Sequence, residues 1–152
     1  MPRIHLVLPE TFNFICELPV RVSDLNYGGH VGNDSFLTIM QEARVLYYRQ
    51  LGFQSELSLE GTIGQIITDA AVVYKSESFL GDVLTIEIAA TDFTKYGFDL
   101  MYRLRNKATG KDVAYGKTGV VCFDYAVRKV TPVPEPVKRK LQLNSEHTEK
   151  RE

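Results

Sequence analysis

The chain has 152 residues, 44% of them hydrophobic and 24% charged, enough for one domain with a core that needs no disulfide or metal staple. With 18 Lys+Arg against 19 Asp+Glu the net charge is −1, which disfavours a globally basic nucleic-acid binder and an acidic disordered chain alike. The longest apolar runs, such as residues 70–74, are far too short to span a bilayer. The first residues carry no charged stretch followed by an apolar one, so no secretory signal is expected. Cys16 and Cys122 match no metal-ligand spacing and are expected as reduced core thiols of a cytoplasmic protein.

Residues 13–22 alternate apolar and polar and predict a strand, with Pro19 hinting at an edge or a bulge. Residues 23–33 form a loop dense in Gly, Asn and Asp, in which Gly28, Gly29 and Gly32 allow tight turning or close approach. Residues 34–51 predict one long helix: Phe36, Met40, Ala43, Tyr47 and Leu51 make an apolar stripe, which Ile39 and Leu46 widen. Asn33 or Asp34 suits the N-cap and Gly52 the C-terminal stop. So broad an apolar girth suits a helix enclosed by a sheet. Strands are predicted over 64–74, 83–91, 96–105 and 112–124, with a turn at 108–111 and a possible continuation of the last strand over 127–130. Pro132, Pro134 and Pro136 punctuate the exit, and residues 138–152 read as a short helix fraying into a charged tail. The expected organisation is one α+β domain over 1–140, a long helix on an antiparallel sheet, and a tail over 141–152.

The loop and helix carry Asp24, Gly29, His30, Val31, Asn33, Phe36, Leu37, Glu42, Ala43, Arg44, Leu51 and Gly52 at the spacing of Asp-x-Asp-x-x-Gly-His-Val-Asn-Asn, an aromatic or Leu pair, then Glu-Ala-Arg and Leu-Gly. On these residues the chain resembles the hotdog-fold acyl-CoA thioesterases, in particular the group containing 4-hydroxybenzoyl-CoA thioesterase. Residues 74–82, 94–98 and Phe123-Asp124 extend the resemblance over roughly residues 13–140. It implies a long central helix wrapped by a five-stranded antiparallel sheet. It also implies a homodimer, or a dimer-of-dimers tetramer, formed edge to edge through the strand at 64–74. Active sites would then lie between one subunit's Gly-rich loop and helix and the partner's strands. An unpaired apolar β-branched edge would be an aggregation liability for a monomer, which points independently to an oligomer.

Thioester hydrolysis needs a carboxylate base or nucleophile, donors for the developing oxyanion and a groove for the acyl carrier. Many members of the family use the second acid of Asp-x-Asp, but this chain has Asn26 there, and an amide is no general base. Three carboxylates are candidates to compensate. Glu42, beside Ile39 and Leu46 on the helix, is expected at the margin of the apolar face, where partial burial would suit it to general-base work. Its bland alternative is an ion pair with Arg44 or Arg49. Asp34 at the helix start is either an N-cap or a base, and Asp24 matches the family's first acid, which is more often structural.

Asn26 and His30 are expected to position the substrate, a water or the oxyanion, with Tyr27, Gly29 and Asn33 around them. Tyr47, with Tyr48 and Phe53, is a candidate for the acyl pocket, against plain core packing. Lys95, Tyr96 and Gly97 are candidates for the pantetheine arm. Lys75, Lys117 and Arg128 join Lys95 as candidates for the coenzyme A phosphates. No metal or redox cofactor is expected, and coenzyme A is part of the substrate. Two alternatives remain: a hotdog dehydratase using His30 with Glu42 on a β-hydroxyacyl thioester, and a non-catalytic acyl-thioester binder, favoured if every nearby carboxylate is tied away from the cavity.

Overall fold

Alternating strand runs joined by short turns fold into one antiparallel sheet in the computed structural model, which describes residues 3–149. Chain order is β1 (Phe14–Pro19), a 3-10 turn (Val22–Asp24), α1 (Ser35–Gln50), β2 (Ile63–Tyr74), β3 (Val83–Thr91), β4 (Gly97–Asn106), β5 (Asp112–Asp124), β6 (Lys129–Val130) and α2 (Glu135–Glu149). The sheet order is β1-β3-β4-β5-β2, with β6 added on β5. The chain therefore starts at one edge, crosses the inner face as α1 and re-enters at the opposite edge as β2. The expected α+β architecture is found. Among the described residues no helix is long and apolar enough to cross a membrane.

The inner face is apolar and α1 fills it. Ile86 and Ile88, Leu100, Tyr102 and Leu104, and Ala114 are fully buried against Phe36, Ile39, Met40, Ala43 and Tyr47 of the helix. The approach is close at Gly116, where an added Cβ would stand 2.5 Å from Met40 Sδ. Glycine there is a matter of space, and it fixes how near the helix comes to β5.

Burying the C-terminal half of α1 also buries a charge. Arg44 is 5% exposed. Its Nε donates to Glu56 Oε1 at 2.8 Å and its Nη1 to the Tyr102 hydroxyl at 3.1 Å. The Tyr102 hydroxyl bonds Thr118 Oγ1 at 2.8 Å, and the neighbouring Tyr48 hydroxyl donates to Gln65 Oε1. Apolar periodicity does not reveal such a network, because Arg44 and Gln65 read as polar positions.

The ends differ from the sequence expectation. β1 is shorter than 13–22, closing at Pro19, after which the chain turns into the 3-10 segment. Beyond β5 the strand does not continue: the chain reverses through Arg128, at φ 57°, and β6 folds back on β5. α2 begins at Glu135 and docks through buried Val137 and Leu141, with Asn13 Nδ2 donating to the Leu141 carbonyl at 2.8 Å. The expected tail over 141–152 lies partly outside the described residues. On the outer face, Phe12 sits under the Arg103 guanidinium, 4.6 Å from ring centre to Cζ, and residues 5–9 help enclose a cleft of about 590 Å³ over Asp69, Asp99, Met101 and Lys117. Cys16 and Cys122 are unpaired, and burial pushes both thiols up to about 11, with the Glu42 charge adding to the effect at Cys16.

Glu56→Ala removes the carboxylate facing Arg44 and leaves a buried guanidinium with one neutral partner. It is expected to lower the unfolding free energy by about 3 kcal/mol, measured as a lower urea midpoint at unchanged m-value.

Candidate active site

The Gly-rich loop is a small stitched hairpin. The Asn26 amide donates to the His30 carbonyl at 2.9 Å and the Gly29 amide to the Asn26 carbonyl at 3.1 Å. Gly29 holds φ 81°, a conformation that glycine adopts without strain. The Asn26 Oδ1 accepts the Gly28 amide at 2.8 Å. That bond engages the side-chain oxygen and leaves the Nδ2 amino group as the donor Asn26 can offer at the cavity. The loop is fastened on both sides, by the Val31 amide to the Ser78 carbonyl (2.8 Å) and the Gly32 amide to the Asp24 carbonyl (3.0 Å).

The loop, the first turn of α1 and residues 74–77 enclose a cavity of about 610 Å³. Asn26, Tyr27, His30, Asn33 and Asp34 line one side. Phe36 and Tyr74, rings 5.6 Å apart and tilted by 58°, form an apolar wall. Lys75 and Glu77 stand at the far side. The Tyr74 hydroxyl donates to the Asn33 carbonyl at 3.2 Å, tying the end of β2 to the start of α1.

Asp34 occupies the N-cap position but makes no side-chain capping bond. Its amide donates instead to Asn33 Oδ1 at 2.9 Å. Among the described residues its carboxylate has no ion-pair partner. The Asp34 side chain thus caps none of the first N–H groups of α1; the Ser35 amide donates to the Gly32 carbonyl at 3.0 Å, and the positive dipole end of the helix lies at the cavity. His30 sits opposite. Its Nδ1 lies 3.2 Å from the Val31 carbonyl, which can only accept, so Nδ1 carries the hydrogen of that bond. Nε2 lies 3.9 Å from Glu77 Oε1.

Several candidates stand elsewhere. Glu42 is exposed, not at a half-buried margin, and lies outside the cavity lining. It is two turns, about 12 Å, along the helix from Asp34. Its charge is felt at Cys16 and Arg21, on the β1 side. Its suggested partner Arg44 is bound to Glu56 instead. Within one chain, His30 and Glu42 therefore do not meet in one site. Asp24 is buried, accepts the Arg21 amide at 2.8 Å and pairs with the Arg21 guanidinium at 3.1 Å, a structural role at the base of the loop. Gly29 shapes the turn without lining the cavity. Tyr47 is fully buried among Phe14 and Tyr48, so it packs the core instead of forming an acyl pocket.

Lys95, Tyr96 and Gly97 sit at the opposite end of the sheet. Gly97 pairs with Val121, which in turn pairs with Ile66 near the start of β2, whereas the cavity adjoins Tyr74 at its end. Lys117 is held by Asp69 at 2.8 Å on the outer face. Phe36, Tyr74, Ser76 and Glu77 were not read as site residues from the sequence. Only the register of β2 brings residues 74–77 beside the helix start, and no local pattern announces that.

Comparison with known proteins agrees with this architecture. Residues 20–141 match the family model described as the thioesterase-like superfamily. The chain is 29% identical over 129 residues to a 1,4-dihydroxy-2-naphthoyl-CoA hydrolase of Synechococcus elongatus, spanning 84% of this chain and 93% of that protein. A 1,4-dihydroxy-2-naphthoyl-CoA thioesterase from Synechocystis superposes with TM-score 0.75 at 22% identity, covering 84% of this chain and 94% of that one. A Staphylococcus aureus protein solved in complex with CoA superposes with TM-score 0.79 at 14% identity, over 93% and 89% of the two chains. At these identities the two superpositions speak to the fold.

Proposed function

This chain belongs to the thioesterase-like superfamily and is an acyl-CoA thioesterase, and we propose that it hydrolyses aromatic acyl-CoA thioesters with Asp34 as the general base. The observation that carries the reading is the Asp34 carboxylate: it lines the cavity, caps nothing and pairs with nothing among the described residues. The binder alternative would gain if every nearby carboxylate were tied away from the cavity, and Asp34, without an ion-pair partner among the described residues, does not lend it that support.

The chemistry follows from the positions. A water held between Asp34 and the thioester carbonyl loses a proton to the carboxylate as its oxygen attacks the carbonyl carbon. The developing oxyanion is met by Asn26 Nδ2 and by N–H groups of the first turn of α1 beyond Ser35. The tetrahedral intermediate collapses with cleavage of the C–S bond. The thiolate of coenzyme A leaves and takes up the proton that Asp34 received, so the products are a free acid and a thiol.

The base assignment is tested by free-thiol release from acetyl-, hexanoyl-, palmitoyl- and benzoyl-CoA. Asp34→Asn is expected to lower kcat at least about a thousandfold, while Glu42→Ala stays within about twofold of wild type. Wild-type kcat in Asp34→Asn would remove Asp34 from the mechanism.

Phe36, Tyr74 and Tyr27 around the cavity favour a flat acyl group, which gains offset or edge-on ring contacts beyond simple burial. Benzoyl-CoA is expected to exceed acetyl-CoA in kcat/KM by about tenfold or more, and Tyr74→Ala to erase most of that preference by raising KM.

The assembly that completes this site is an antiparallel pairing of two β2 strands. Among the described residues the one strand paired with β2 is β5; on its other edge residues 56–60 bond its first residues, with the Gln65 amide donating to the Glu56 carbonyl at 2.8 Å, and the rest of that edge, where Ile66 and Tyr74 are exposed, takes no strand. Antiparallel pairing sets the start of one β2 beside the end of the other, so the partner's Lys95, Tyr96 and Gly97 turn would approach the cavity mouth. Light scattering is expected to give at least twice the chain mass. Lys95→Ala is expected to raise KM for acyl-CoA several-fold with little change in kcat.

A further inference from the structure

Position 32 is glycine for a reason that its own backbone does not supply. It is buried, and its φ lies outside the left-handed region, so any L residue could adopt its conformation. Gly29, three residues earlier, is the reverse case: it holds φ 81° and has open space around it. What Gly32 lacks is room. A Cβ there would stand 2.7 Å from Asp34 Oδ1, 3.3 Å from Asn26 Cβ and 3.8 Å from Ser35 Oγ. The Asp34 carboxylate therefore folds back over the bare face of Gly32, and Asn26 begins on the same glycine.

We propose that Gly32 is a positioning residue for the reaction: its missing side chain is the seat that holds the Asp34 carboxylate beside Asn26. This rests on the reading of Asp34 as the base. The contact at 2.7 Å is with the mobile end of a side chain, not with backbone, so a methyl group at position 32 can be accommodated by rotating Asp34. That rotation swings the carboxylate away from the Asn26 side, while Asn26 Cβ, 3.3 Å from the new methyl, gives by only a few tenths of an ångström. The substrate still binds, because the Phe36 and Tyr74 wall is untouched, but the base no longer faces the attacking water. A carboxylate misplaced by an ångström or so costs about a hundredfold in rate.

The test is Gly32→Ala, made in wild type and in Asp34→Asn, with steady-state kinetics on benzoyl-CoA, thermal melts and a crystal structure of the single variant. The expected result is a fall in kcat of about a hundredfold with KM within about twofold, a melting temperature near wild type, and no further loss when Gly32→Ala is added to Asp34→Asn. The crystal structure is expected to show Asp34 rotated away from Asn26 over an unchanged backbone. Wild-type kcat in Gly32→Ala overturns the proposal. So does an equal further loss in the Asp34→Asn background, which would mean that Gly32 acts through something else. An unfolded variant, or an unmoved Asp34 carboxylate, overturns it whatever the turnover. Asp34→Asn alone decides the base assignment, so failure of that reading is seen separately from failure of this one.

Discussion

The fold hangs on covering the apolar face of α1. The expected enclosure on all sides is not found: Phe36, Ile39, Met40, Ala43, Tyr47 and Tyr48 bury one face while Gln41, Glu42 and Arg49 stay exposed, and the sheet covers that one face by laying β3, β4 and β5 under it and placing β1 and β2 at the two edges. Other features follow from that cover. Gly116 exists because Met40 comes so near. Arg44 must find Glu56 and Tyr102 because the helix carries it into the interior. The N-terminus of α1 is where the helix emerges, and the Gly-rich loop is stitched to residue 78 so that it meets this end at a fixed place.

Much of this was legible in the sequence. The stripe of Phe36, Met40, Ala43 and Tyr47 marks the helix, and β3 and β5 begin and end where alternation and the turn at 108–111 place them. What failed did so for physical reasons. The reversal at Arg128 is set by a single backbone conformation that side-chain alternation does not encode. Arg44 sits one residue from Ala43 and looks solvent-facing until the loop after the helix supplies Glu56.

The site was half legible. Asn26, His30, Asn33 and Asp34 are close in sequence, so local reasoning could gather them, and the structure puts all four on one cavity. Glu42 is a candidate through its helical position and its place in the resemblance, and neither tells which flank the sheet leaves open. Tyr74 and Glu77 come from the far edge of the sheet, and only β2 register brings them in. Tyr47 shows the converse: its aromatic character suits a pocket, but its place on the helix faces the core.

The carboxylate sits on the cap residue of a buried helix, not out in the loop. α1 cannot slide or turn without driving Met40 into β5 or pulling Arg44 from Glu56. The acid is thus indexed to the interior of the molecule, and the geometry of the reacting groups inherits the cooperativity of the whole fold. On heating, activity would persist until the global transition and vanish with it, with no earlier phase in which a loosened loop leaves a folded but idle enzyme.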